Sequence, residues 1–124
     1  MEEKPEKTFK VFVYGSLKRG FYNYYGRLDG TRGYAKFLGE ATTKGKMYNL
    51  GHFPAVNIDE EGTIHGEVFE VDENVVRALD LLEGYPTFYN RTKVPLSSGD
   101  QAWIYHIERE LPEDQHIPSG EWIK

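Results

Sequence analysis

One stretch of this chain carries an apolar repeat of helical period: Val75, Ala78, Leu79 and Leu82 recur at i, i+3, i+4 and i+7. Asp72 ahead of it suits the N-cap of a helix, Glu73 complements the positive helix end, and Gly84 stops the run. Around this helix the chain breaks into strand-length runs. Residues 9–14 (FKVFVY) combine β-branched and aromatic side chains and halt at Gly15-Ser16. Residues 34–50 alternate irregularly and are broken by Gly39 and Gly45, which predicts one or two bent strands. Residues 54–58 and 63–71 flank Asp59-Glu60-Glu61-Gly62 and predict an antiparallel hairpin. Two more strands, 88–96 and 101–107, are joined by the turn Ser97-Ser98-Gly99-Asp100. Residues 17–33 read as a glycine-rich loop with one or two helical turns over 22–28. The tail from Glu108, with Pro112, Pro118 and Gly120, reads as an irregular surface segment.

Strands that can pair as antiparallel neighbours, with one helix inserted late, define an α+β class. The specific expectation is a small mixed or antiparallel β-barrel with one main amphipathic helix. Ile64, Gly66, Val68 and Glu70 do not make a clean apolar face, so both faces of their strand should be covered, and a barrel would cover them.

The 124 residues leave room for one ordinary core, expected over residues 8–124 behind a flexible polar arm at 1–7. With 39% hydrophobic residues and nine Tyr, seven Phe and two Trp, the chain has enough apolar area to pack that core. A formal net charge of -5 disfavours nucleic acid as a partner, because such binding draws on clustered Lys and Arg. The lack of Cys excludes thiolate nucleophiles and Cys-ligated zinc, and His52, His65, His106 and His116 have no short ligand spacing, so no metal site is expected. The charged N-terminal residues lack the apolar centre of a signal peptide, and no run approaches the ~20 apolar residues of a membrane helix. A soluble, cytoplasmic protein without a membrane partner is expected; oligomeric state is not legible.

Two places have chemical potential. A strand that ends in Tyr14-Gly15-Ser16-Leu17 exposes backbone N–H groups that can hold a carboxylate or an oxyanion, although an ordinary strand-ending turn has the same sequence. Gly15 and Gly20 match half of a phosphate-binding loop, but Phe21-Tyr22 stands where its Lys and hydroxyl residue would be, which rejects a nucleotide site. Glu83 closes the helix beside the Leu79 and Leu82 stripe; it is either a solvated helix-end carboxylate or one turned inward. Turned inward, burial and the negative helix end would both raise its pKa toward the range of a general acid or base. Tyr85, Tyr89 and Tyr105 read from residue character as wall residues that satisfy their hydroxyls, and Lys18 and Arg19 as solvated cations, although an Arg near an entrance could pair with a substrate carboxylate.

Longer runs carry a resemblance. Val11-Phe12-Val13-Tyr14-Gly15-Ser16-Leu17-Lys18-Arg19-Gly20 resembles the opening of gamma-glutamylcyclotransferase-like proteins, with closest likeness to the gamma-glutamylamine cyclotransferase branch. Gly66-Glu67-Val68-Phe69-Glu70-Val71, Leu79-Asp80-Leu81-Leu82-Glu83-Gly84, Tyr89-Asn90-Arg91-Thr92 and the closing Ile117-Pro118-Ser119-Gly120-Glu121-Trp122 follow in the family's order. The resemblance implies a small mixed barrel, no cofactor and no metal. It implies Glu83 as the catalytic acid/base, Tyr14, Gly15, Ser16, Leu17 and Tyr89 as substrate-binding residues, and a small gamma-glutamyl compound as substrate, cyclised to 5-oxoproline with release of an amine. Residues 21–28 are unusually Tyr-rich and residues 51–57 short for the family, which leaves the amine open. A non-catalytic metabolite-binding or interaction module on the same fold is the competing expectation.

Overall fold

A computed structural model describes residues 5–123. Of the polar arm expected over 1–7, residues 1–4 lie outside the described range, and residues 5–7 form neither helix nor strand. Eight strands and one α-helix follow: β1 (Phe9–Val13), β2 (Ala35–Lys44), β3 (Lys46–Asn49), β4 (Pro54–Asn57), β5 (Thr63–Val71), α1 (Glu73–Glu83), β6 (Asn90–Pro95), β7 (Gln101–His106) and β8 (His116–Ile117). They form a five-stranded sheet in the order β2-β5-β1-β7-β6 and a three-stranded sheet in the order β4-β3-β8. Every pairing is antiparallel except that of β1 with β7.

The α+β class agrees with the sequence, and the barrel is corrected to an open arrangement. The two sheets share no ladder. Single backbone bonds bridge them instead, such as Ile107 N–H donating to the Val56 carbonyl at 3.0 Å. The expected hairpin of residues 54–58 with 63–71 is also corrected. β5 pairs with β2 from Ala35↔Val71 to Lys44↔Thr63, and β4 pairs with β3. A nine-residue strand finds more ladder partners in the ten-residue β2 than in the four-residue β4.

Gly45 is the single residue between β2 and β3, where the chain leaves one sheet for the other. Its φ of 153° is one that side chains rarely adopt, and a Cβ there would fall 2.4 Å from Ile64 Cδ1.

β1 sends alternate side chains to two different apolar layers. Val11 and Val13 pack with Phe69, Val71 and the α1 residues Val75 and Leu79, whereas Phe12 packs with Val68, Ile104, Met47 and Val56. Both faces of β1 are therefore covered from Val11 to Val13. α1 follows its predicted grammar: Asp72 accepts from Val75 N–H at 3.0 Å, and Gly84 adopts φ 65°, ψ 34° to end the helix.

Candidate active site

The C-terminus of α1 and the end of β1 meet at one cavity of about 230 Å³. Its lining includes Tyr14, Gly15, Ser16, Leu17, Glu83 and Tyr89, so the structure brings together all six residues singled out in the sequence.

Glu83 is the last residue of α1 because Gly84 N–H turns back to the carbonyls of Asp80 and Leu81, and Tyr85 N–H to that of Asp80 at 3.0 Å. Four residues past the fully buried Leu79, Glu83 lies about 40° around the helix from it and points into the cavity. Burial raises its pKa from 4.5 to about 7, against an opposing pull from the positive charge of Arg27. Burial is one of the two causes expected to raise it.

The opposite wall is the turn after β1. Lys18 N–H donates to the Gly15 carbonyl at 3.1 Å, which closes the turn. The N–H groups of Gly15, Ser16 and Leu17 meet no protein acceptor among the described residues. Asn23 holds the turn from behind: its N–H donates to the Ser16 carbonyl at 2.9 Å, and its side-chain amide to Ser16 Oγ at 2.7 Å. Asn23 also lines the cavity, and sequence reasoning missed it. Its one signal was an isolated amide in a Tyr-rich segment, inside a 3-10 turn at Tyr22–Tyr24. Gly15 proves necessary for a packing reason: a Cβ would lie 2.8 Å from Pro54 Cγ.

Three buried tyrosines complete the floor. Tyr14 OH donates to the Tyr105 carbonyl at 2.6 Å, Tyr89 OH to the Pro54 carbonyl at 2.7 Å, and Tyr105 OH to Asp80 Oδ1 at 2.6 Å. Burial is the main cause that pushes all three hydroxyls upward, and the nearby Glu83 adds to each. They remain neutral. Tyr89 and Tyr105 thus have the satisfied hydroxyls expected of wall residues, while Tyr85 is partly exposed beneath Arg91, 4.4 Å from its ring centroid.

Asp80, one helical turn before Glu83, was also overlooked. Arg91 grips it with two bonds, Nε to Oδ1 at 2.9 Å and Nη2 to Oδ2 at 3.3 Å, which ties α1 to β6.

Lys18 corrects another expectation: it is buried, donates to the Trp122 carbonyl at 2.6 Å and sits 4.8 Å from the Phe21 ring centroid. Burial lowers its pKa. Arg19 is exposed but held, 3.4 Å from the Phe37 ring centroid and paired with Glu67 at 3.6 Å. Among the described residues no three His, Asp or Glu side chains converge as ligands, and no helix is long and apolar enough to cross a membrane.

The arrangement, a half-buried carboxylate poised near neutrality opposite a turn of unpaired N–H groups, is that of a small acid/base site. The family description "Gamma-glutamyl cyclotransferase, AIG2-like" matches residues 11–124, and the chain belongs to that family. It is 37% identical to the Drosophila melanogaster protein CG2811, provisionally named a gamma-glutamylcyclotransferase, over 91% of this chain and 78% of that one. It is 31% identical to the gamma-glutamylcyclotransferase family protein YtfP of Escherichia coli K12, over 92% and 96% of the two chains. Among solved structures, an AIG2-like protein of Mus musculus superposes with a TM-score of 0.75 at 32% identity, covering 86% of this chain and 81% of that one.

Proposed function

We propose that this protein is a gamma-glutamyl cyclotransferase that converts a gamma-glutamyl amine or gamma-glutamyl amino compound to 5-oxoproline and a free amine. The observation that carries the reading is the pairing, in one cavity, of Glu83 with a pKa of about 7 and the unpaired N–H groups of the 14–17 turn.

The reaction needs little more. The substrate's alpha-ammonium loses a proton to Glu83, and its nitrogen then attacks the gamma-carbonyl carbon to close a five-membered ring. The carbonyl oxygen gains negative charge, which backbone N–H groups of Gly15, Ser16 and Leu17 stabilise. As the carbon–nitrogen bond to the leaving amine breaks, Glu83 returns the proton to that nitrogen, and the ring nitrogen's second proton passes to the solvent, from which the released amine is protonated. A carboxylate of ordinary pKa would be a poor acceptor for an ammonium proton and a poor match for this double duty; one near 7 suits both. Arg27 donates to Asn23 Oδ1 at 3.3 Å, makes no ion pair among the described residues and already acts on Glu83, so it is a cation near enough to draw the substrate's alpha-carboxylate.

The test is incubation of the purified protein with a panel of gamma-glutamyl compounds, with 5-oxoproline measured by mass spectrometry. Product is expected from at least one compound, and its formation should collapse in Glu83→Gln. No 5-oxoproline from any member of the panel would overturn the reading.

A further inference from the structure

We infer that the amine released by this enzyme is an apolar or aromatic amino acid, held outside the reacting centre by Phe53 and Phe88 with its carboxylate toward Arg109. The inference rests on the cyclotransferase reading and specifies its leaving group.

Among the residues that line the cavity, only Phe53 and Phe88 are exposed, at 39% and 43%. They therefore mark its mouth. Their rings stand edge to face with centroids 6.0 Å apart, and Phe88 in turn meets the buried Tyr89 at 4.9 Å. An aromatic wall thus runs without a break from the cavity floor to solvent. Two exposed phenylalanines at a mouth leave apolar area in water that a ligand side chain would cover.

Orientation follows from the chemistry. The glutamyl end must reach both the 14–17 turn and Glu83, which lie inside the cavity, so the leaving amine's substituent is the part that projects through the mouth. There the guanidinium of Arg109 lies 5.9 Å from the Phe88 ring centroid, and its charge reaches Tyr89. Arg109 makes no ion pair among the described residues. A guanidinium at the rim of an apolar slot matches an amino acid, which presents a side chain to the rings and a carboxylate to the cation. It disfavours a cationic group such as a polyamine's far end.

The experiment compares kcat/KM for gamma-glutamylphenylalanine, gamma-glutamylglycine, gamma-glutamylphenethylamine and gamma-glutamylputrescine in the parent, Phe53→Ala, Phe88→Ala and Arg109→Gln. The phenylalanine compound should exceed the glycine compound by about tenfold or more, the scale of an apolar pocket's discrimination. That ratio should fall toward one in either Phe variant. Arg109→Gln should narrow the advantage of gamma-glutamylphenylalanine over gamma-glutamylphenethylamine, which lacks the carboxylate. Turnover with equal kcat/KM across the compounds, or a preference that survives both Phe variants, would overturn this inference while leaving the cyclotransferase intact. A complete absence of turnover would overturn both.

Discussion

α1 carries two carboxylates one turn apart, and the fold treats them in opposite ways. Asp80 is surrounded by donors: two from Arg91 and one from Tyr105, with the guanidinium sandwiched near the rings of Tyr85 and Trp103. Glu83 receives no comparable partner; it shares a cavity with three tyrosines whose hydroxyls are all committed elsewhere, and Arg27 acts on it only at a distance. Converging donors suit a structural tie, and a proton-exchanging group belongs where burial opposes charge without a donor to relieve it. The same helix therefore supplies an anchor and, three residues later, a reactive acid.

The contrast can be broken from either side. Asp80→Ala should have the largest effect, because it strands a half-buried guanidinium and the Tyr105 hydroxyl; a loss of about 3 kcal/mol is expected in chemical denaturation. Next is Glu83→Gln, which keeps the shape and removes the proton acceptor. Turnover on a confirmed substrate should fall at least ~10²-fold while the protein melts no lower than the parent. A well-folded variant with near-parental turnover would transfer the proton to another group.

The pH dependence of stability tests the burial of Glu83. The folded pKa of Glu83 is raised above 4.5 to about 7, so the folded state binds the extra proton and stability should fall as pH rises through that window. Between pH 5 and 7 the decline should be roughly 2 kcal/mol, and the Glu83→Gln protein should lack it. Equal slopes for parent and variant would mean that Glu83 is solvated. The smallest effect expected is the displacement of a pH profile, which comes on top of the overall loss of kcat/KM that Arg27→Gln should cause by removing a partner of the substrate's alpha-carboxylate. Arg27 lowers the Glu83 pKa, so Arg27→Gln should move the alkaline-rising limb of kcat/KM to higher pH, by less than about one unit.

What was legible in the sequence follows the range of the interactions. The cap at Asp72, the apolar stripe and Gly84 act within one helix, and α1 appeared as read. The strand read at 9–14 appeared as β1, which ends one residue earlier at Val13, just ahead of Gly15-Ser16. Partner choice was not local: β5 joined β2 and β1, and the pattern around Asp59 could not reveal that β4 would go to the other sheet. Lys18 shows the same limit, since its burial depends on a carbonyl 104 positions along the chain. For the candidate site, local sequence left both the turn and Glu83 undecided. Only the order of motifs joined them, and only the packing of α1 beside β1 brings both to a single cavity. Asn23 and Asp80 went unnoticed because a polar residue reveals its purpose through partners that the fold supplies.

The place of β1 in the sheet has a consequence for how the molecule assembles. β1 lies between β5 and β7, strands that begin 50 or more residues later in the chain, so its hydrogen-bonding edges stay open until most of the polypeptide is present. Contacts of that sequence separation form slowly relative to turns and helices. The segment that carries the 14–17 turn is thus made first and finished last. A fragment that stops before residue 101 would contain the turn and Glu83 in full, yet it would lack β7, the Tyr105 carbonyl that receives Tyr14 OH, and Trp122 for Lys18. Possession of the motif residues and possession of a working pocket are, in such a topology, separated by the length of the chain.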